Sequence, residues 1–174
     1  MKQQSPILIA YDGSENARYA IEQTGELFAF AGRPVVVLYA SEAVELAAIR
    51  RGIVGMSASG NEPEADAQSI AVAEQIANEG AELARKVGLD AEPRIASGSV
   101  PIWEIIVRVA DEEDASLIVL GARGLRGLRS LMLGSVSHQI AHHAHQPVLT
   151  IPTPALADAR RESALQRSAG HGVA

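Results

Sequence analysis

An α/β fold, a three-layer sandwich with a parallel sheet between two layers of helices, is predicted by three observations. Short apolar runs such as ILIAY (7–11), PVVVLYA (34–40) and SLIVLG (116–121) show no polar alternation, which is the pattern of strands buried on both faces. Stretches with apolar residues at helical spacing lie between them, so strands and helices alternate along the chain. Turn residues cut off the runs, Asp12-Gly13-Ser14 after the first and Gly121 after SLIVLG.

The elements follow in order. Ser14 is placed to cap a first helix in which Ala17, Ala20, Ile21, Thr24, Leu27 and Phe28 recur at helical spacing, and Gly32 is its stop. After the second strand, SEAVELAAIRR fits a turn or two of helix, and the Gly/Ser-rich GIVGMSASGNE reads as a mobile loop. A long helix is expected over 63–87, with Pro63 in its first turn, a small-residue face of Ala67, Ile70, Ala71, Ala77, Ala81 and Ala84, and Gly88 as its stop. AEPRIASG (91–98) is a weaker strand whose Glu/Arg alternation suggests a sheet edge. Ser99 begins a helix that buries Val100, Ile102, Ile105, Ile106 and Val109, and SLIVLG is the fourth strand. A helix over 134–145 and a last strand, PVLTIP (147–152), complete a β-α-β-α-β-α-β-α-β order. Residues 153–174 lose the pattern and are expected to form a separate, disordered or loosely attached tail beyond a domain of 1–152, in which ALADARRESAL could form a short helix that would be marginal without a partner.

The chain of 174 residues suits one such domain, and the absence of cysteine excludes disulfides, thiolate nucleophiles and cysteine-based zinc sites. A net charge of −6 and an aromatic set of one Trp, three Tyr and two Phe argue against a nucleic-acid binder. MKQQSP at the start lacks the apolar core of a secretory signal, and no apolar run approaches the length of a membrane span. A soluble cytoplasmic protein without a membrane partner is the expectation.

The chemistry concentrates after the fourth strand, in GARGLRGLRSLMLGSV (121–136). Gly121 and Gly124 let the backbone approach another molecule closely. Gly134-Ser135 opens a helix whose first amides carry the positive end of the dipole, a ready site for an anion. Arg123, Arg126 and Arg129 add charge in a segment with no acid from Gly121 to Val136, so a phosphate chain is the natural ligand. The Walker pattern and the dinucleotide Gly-x-Gly-x-x-Gly pattern are both absent. Bland readings exist for each part: a solvated loop, a plain helix start, and an Asp12 that only caps a turn.

Gly121-x-x-Gly124, nine residues, then Gly134-Ser135, resembles the signature of the nucleotide-binding subclass of universal stress proteins. IAYDGS and GSVSHQIAHHAHQPVLTIP resemble that family's first strand and its last helix and strand, so the likeness covers about residues 5–152. The resemblance implies a strand order of 3-2-1-4-5, the fold of adenine nucleotide alpha hydrolase-like proteins, and ATP or AMP as ligand. It implies that Ala10, Tyr11 and Asp12 line the adenine and ribose side of a cleft, with Ala40 where the family often has valine. Gly121, Ala122, Gly124, Gly134, Ser135 and Val136 would surround ribose and phosphates, Ala122 through its backbone alone. Arg123 and Arg126 are candidates from their charge for reaching the phosphates.

His138 and His142 stand one helical turn apart, but no acid near them in sequence completes a metal set, Asp114 and Asp158 being the nearest, so no protein-held metal is expected. Mg²⁺ carried by the nucleotide is the more plausible ion. No second carboxylate is fixed beside the glycine segment, which favours binding over hydrolysis. A slow ATPase or nucleotidyl-transfer enzyme, and a structural dimer with a vestigial pocket, are the alternatives. PVLTIP is apolar for an edge strand, and together with the family's habit this predicts a homodimer through Val148, Leu149, Thr150 and Ile151.

Overall fold

The computed structural model describes residues 4–42, 62–123 and 134–170. Strand β1 (Ile7–Ala10) forms because four consecutive apolar residues can be buried on both faces only in the middle of a covered sheet. It does lie there. Strands β2 (Pro34–Glu42), β3 (Asp90–Gly98), β4 (Leu117–Gly121) and β5 (Val148–Ile151) complete a five-stranded sheet of order β3-β2-β1-β4-β5. All pairings are parallel, with Ile9 opposite Val37 on one side and opposite Val119 on the other. The predicted fold and strand order are those observed. The order reverses between β1 and β4, and in such sheets that reversal opens a crevice beyond the carboxyl ends of the strands.

Alternation along the strands separates two cores. Ile7, Ile9, Val35, Val37 and Val119 face helix α1 (Glu15–Phe28) and helix α2 (Glu62–Lys86), where they meet Ala17, Ala20, Ile21, Ala81 and Ala84. Leu8, Leu38, Ile118 and Leu120 face helix α3 (Ile102–Glu112) and helix α4 (Ser135–His143), against Ile105, Ile106, Val109 and Ile140. Each fully buried side chain of this size contributes about 1.5–3 kcal/mol, so the two apolar layers outweigh any single cap or ion pair.

Helix boundaries differ from expectation in instructive places. In α1 Leu27 is exposed, and a short 3₁₀ turn (Ala29–Ala31) runs to Gly32, which is left-handed as a helix stop requires. The small face of α2 is Ser69, Ala73, Ala77, Ala81 and Ala84, whereas Ala67, Ile70 and Ala71 are exposed. A rotation of the stripe by part of a turn separates the two sets, and alanine-rich sequences do not discriminate between them. Helix α3 starts at Ile102 and not at Ser99, because Pro101 takes an extended conformation and serves as N-cap. Beyond β5 the chain forms helix α5 (Pro154–Gly170), where a tail was expected. Leu156 near its start is buried, while Leu165 is exposed. The expected loop at 52–62 lies, but for its last residue, outside the described residues.

Candidate functional site

The turn after β1 is built by its own polar side chains. Asp12 accepts a hydrogen bond from the Ser14 amide through Oδ1 at 3.0 Å, which closes an Asx turn. Gly13 between them has φ +79°, a left-handed conformation that side chains resist. Ser14 then caps α1, its Oγ accepting from the Ala17 amide at 3.2 Å. Asp12 therefore does serve the turn, and it stands half-buried at the carboxyl end of β1 beside the reversal in strand order.

Across the reversal, β4 ends at Gly121. A Cβ there would stand 2.8 Å from the Asn16 carbonyl oxygen, so the packing of α1 against β4 itself requires this glycine. The Ser137 hydroxyl, buried on α4, donates to the Gly121 carbonyl at 3.1 Å. Ala122 is wholly buried; its amide donates to Ile151 O at 2.8 Å and its carbonyl accepts from the Gly134 amide at 2.9 Å. Both backbone groups of Ala122, expected to meet a ligand, thus hold the β4 exit to β5 and α4, and its carbonyl keeps a second lone pair. Gly134 is the N-cap of α4 and has no side chain to bond the first amides. Unlike Gly121, it is not demanded by packing: a Cβ there would meet Ala122 O at an ordinary 3.5 Å. Ser135 is exposed and Arg123 half-buried. Gly124 and Arg126, also expected at the site, lie outside the described residues.

Ala10, Ala40 and Val136 all pack on the α3/α4 core, together with Ala96 and Val100. The strand ends thus present small apolar side chains next to an α4 N-terminus that no side chain caps. Tyr11 does not join them. Its ring faces the α1/α2 layer, its amide donates to Leu38 O at 2.9 Å, and its hydroxyl donates to Glu79 at 2.9 Å. Burial first, then the Glu79 hydrogen bond and charge, push its phenol up to about 12. Strand alternation carries this distinction, since Tyr11 is one residue out of step with Ala10. Ser137 was missed by sequence reading; the Ser-x-Ser after Gly134 is the signal that points to it, one serine outward and the next inward.

The four described histidines, His138, His142, His143 and His145, are exposed and contact other side chains. His143 stacks on Trp103 at 4.7 Å between ring centroids, His138 and His142 meet edge to face at 4.6 Å, and His145 lies 3.2 Å from Asp111. Asp111 is thus the acid the fold brings to this end of α4, not Asp114 or Asp158. Among the described residues no group of three or more His, Asp or Glu side chains could hold a metal ion.

Fold and site define a doubly wound parallel α/β protein whose strand order reverses between β1 and β4. A sequence model of the universal stress protein family matches residues 5–152, and the chain belongs to that family. It is 44% identical over 70 residues to universal stress protein YxiE of Bacillus subtilis, a match covering 40% of this chain and, at 46%, about half the length of that relative. It is 32% identical over 148 residues to a universal stress protein of Thermus aquaticus, covering 83% of this chain and 96% of the relative. Among solved structures, protein MJ0577 superposes with a TM-score of 0.68 at 22% identity, covering 86% of this chain and 96% of that one. The universal stress protein of Archaeoglobus fulgidus in complex with dAMP superposes with a TM-score of 0.61 at 23% identity, covering 86% and 98%. These structural likenesses establish the common fold.

Proposed function

We propose that this universal stress protein belongs to the nucleotide-binding subclass and holds ATP or AMP between the carboxyl ends of β1 and β4, as a nucleotide-dependent stress-response or regulatory module. The observation that carries the reading is the juxtaposition of Ala10, Ala40 and Val136 on one core with an N-terminus of α4 that Gly134 leaves uncapped. Adenine needs a flat apolar wall; phosphate needs amide donors at a positive helix end. Asp12 would meet the ribose, and Gly134, Ser135 and Val136 the phosphates through backbone and hydroxyl, with Arg123 beside them. The dAMP complex of the Archaeoglobus fulgidus relative supports an adenine nucleotide as the ligand class.

Mg²⁺ would come with the phosphates, since it is commonly held by phosphates and waters and not by an all-protein cage. Asp12 is committed to its turn through Oδ1, which supports a binder over an ATPase. A turnover assay on nucleotide-free protein separates the two. Among the described residues no helix is long and apolar enough to cross a membrane. We further infer a homodimer through β5, an edge strand of Val148, Leu149, Thr150 and Ile151 with no charged residue.

The test is Gly134→Glu. Its φ of −59° and the 3.5 Å clearance accept a side chain, so the fold survives, while a carboxylate at the helix start occupies and repels the phosphate position. Calorimetry on ligand-free protein is expected to give heat with ATP or AMP for the parent and none for the variant. Equal affinity in both would refute the placement of phosphate, and no heat from the parent at millimolar nucleotide would refute the function.

A further inference from the structure

We propose that Glu79 on α2 is a positioning residue for the Tyr11–Ser14 turn, clamping it from the face of the sheet opposite the apolar wall. Its effect on nucleotide affinity rests on the reading above; its effect on the turn does not. Glu79 Oε1 accepts from the Tyr11 hydroxyl at 2.9 Å and pairs with Arg18 at 2.6 Å. Arg18 Nε in turn donates to the Gly13 carbonyl at 3.4 Å. The residues on either side of Asp12 are thus both tied, directly or through Arg18, to one carboxylate. Ile76, three residues earlier on α2, lies over the same turn: a Cβ added at Gly13 would stand 3.9 Å from its Cγ2.

An exposed ion pair alone is worth little, and Arg18 and Glu79 are 48% and 40% exposed. Tyr11 changes the balance. It is 2% exposed, so its phenol needs a partner, and Glu79 supplies a charged one. Gly80, the next residue on α2, has no room for a Cβ, which would stand 2.6 Å from Tyr11 Cδ1. The ring is therefore held tightly, and the hydroxyl has little freedom to find another acceptor. Removing Glu79 frees the phenol and Arg18 together, and with them the backbone that presents Asp12.

Glu79→Leu and Tyr11→Phe remove the clamp from either end; Glu79→Gln keeps an acceptor for the phenol. Amide exchange at Gly13 and Ser14 in ligand-free protein and calorimetry with AMP are read on each variant. Both clamp-removing variants are expected to speed exchange at the two amides and weaken AMP binding by roughly three- to tenfold, with Glu79→Gln close to the parent. The double variant should lose no more than Glu79→Leu alone. A merely stabilising role would lower the melting temperature while leaving exchange at the turn and AMP affinity unchanged, and that result overturns the proposal. Faster exchange in a parent background that binds no AMP would uphold the clamp and refute the nucleotide function instead.

Discussion

At the scale of single residues, small side chains decide where the backbone can go, and they do so for different reasons. Gly121 and Gly80 are demanded by packing, the first by Asn16 and the second by Tyr11 and Val37, whereas Gly134 has room and is spent on an uncapped helix start. Alanine at Gly80 would gain about 0.5–1 kcal/mol of helix propensity. It would also force a Cβ to 2.6 Å from Tyr11 Cδ1 and 2.8 Å from Val37 Cγ1, an overpacking that costs about 1–3 kcal/mol. The clash should win, so Gly80→Ala is expected to lower the urea midpoint. A raised midpoint would show that Tyr11 moves aside freely, which would also weaken the case for a clamped ring.

At the scale of elements, α3 and α4 are joined at their carboxyl ends by side chains that the sequence keeps far apart. Asp111 accepts from Gln146 Nε2 at 2.7 Å and lies 3.2 Å from His145 Nδ1. The Gln146 hydrogen bond is the largest influence on the Asp111 carboxyl; burial opposes it, and the His145 contacts add to it, so the carboxyl is held below its usual value of 3.8. A depressed carboxylate pKa gives stability that is present above the unfolded value and lost as pH falls through the folded one. The link should therefore weaken only as pH drops below about 4. NMR titration of the Asp111 carboxyl should show it ionising below the ordinary range, and Gln146→Ala should raise its pKa. An unshifted midpoint in the parent protein would contradict the link.

At the scale of the whole molecule, the two sheet edges are not alike. β3 carries Asp90, Glu92, Pro93 and Arg94, and Arg94 pairs with Glu112 and Glu113 of the neighbouring α3 segment at 3.3 and 3.1 Å. Charges and proline are what proteins place on an edge that must stay alone. β5 has none of these and is the edge we expect to pair between two copies. Thr150→Lys puts a charge on that edge without removing a large core side chain. Light scattering at micromolar concentration is expected to give a dimer for the parent and a monomer for Thr150→Lys. A monomeric parent would remove the dimer from the reading.

The alternation of buried apolar runs with helical stretches determined the fold class, because a parallel sheet needs strands that are apolar on both faces and crossovers long enough for a helix. The glycine spacing likewise marked the end of β4, and turn chemistry marked the end of β1. Sequence order could not say which side of the sheet Tyr11 takes, that Ala122 spends both backbone groups on β5 and α4, or which alanines of α2 point inward. It could not bring Asp111 to His145 or Glu79 to Tyr11 either. Those choices belong to the tertiary structure, because contacts between residues dozens of positions apart depend on strand register and helix rotation, which many sequences of the same pattern leave open.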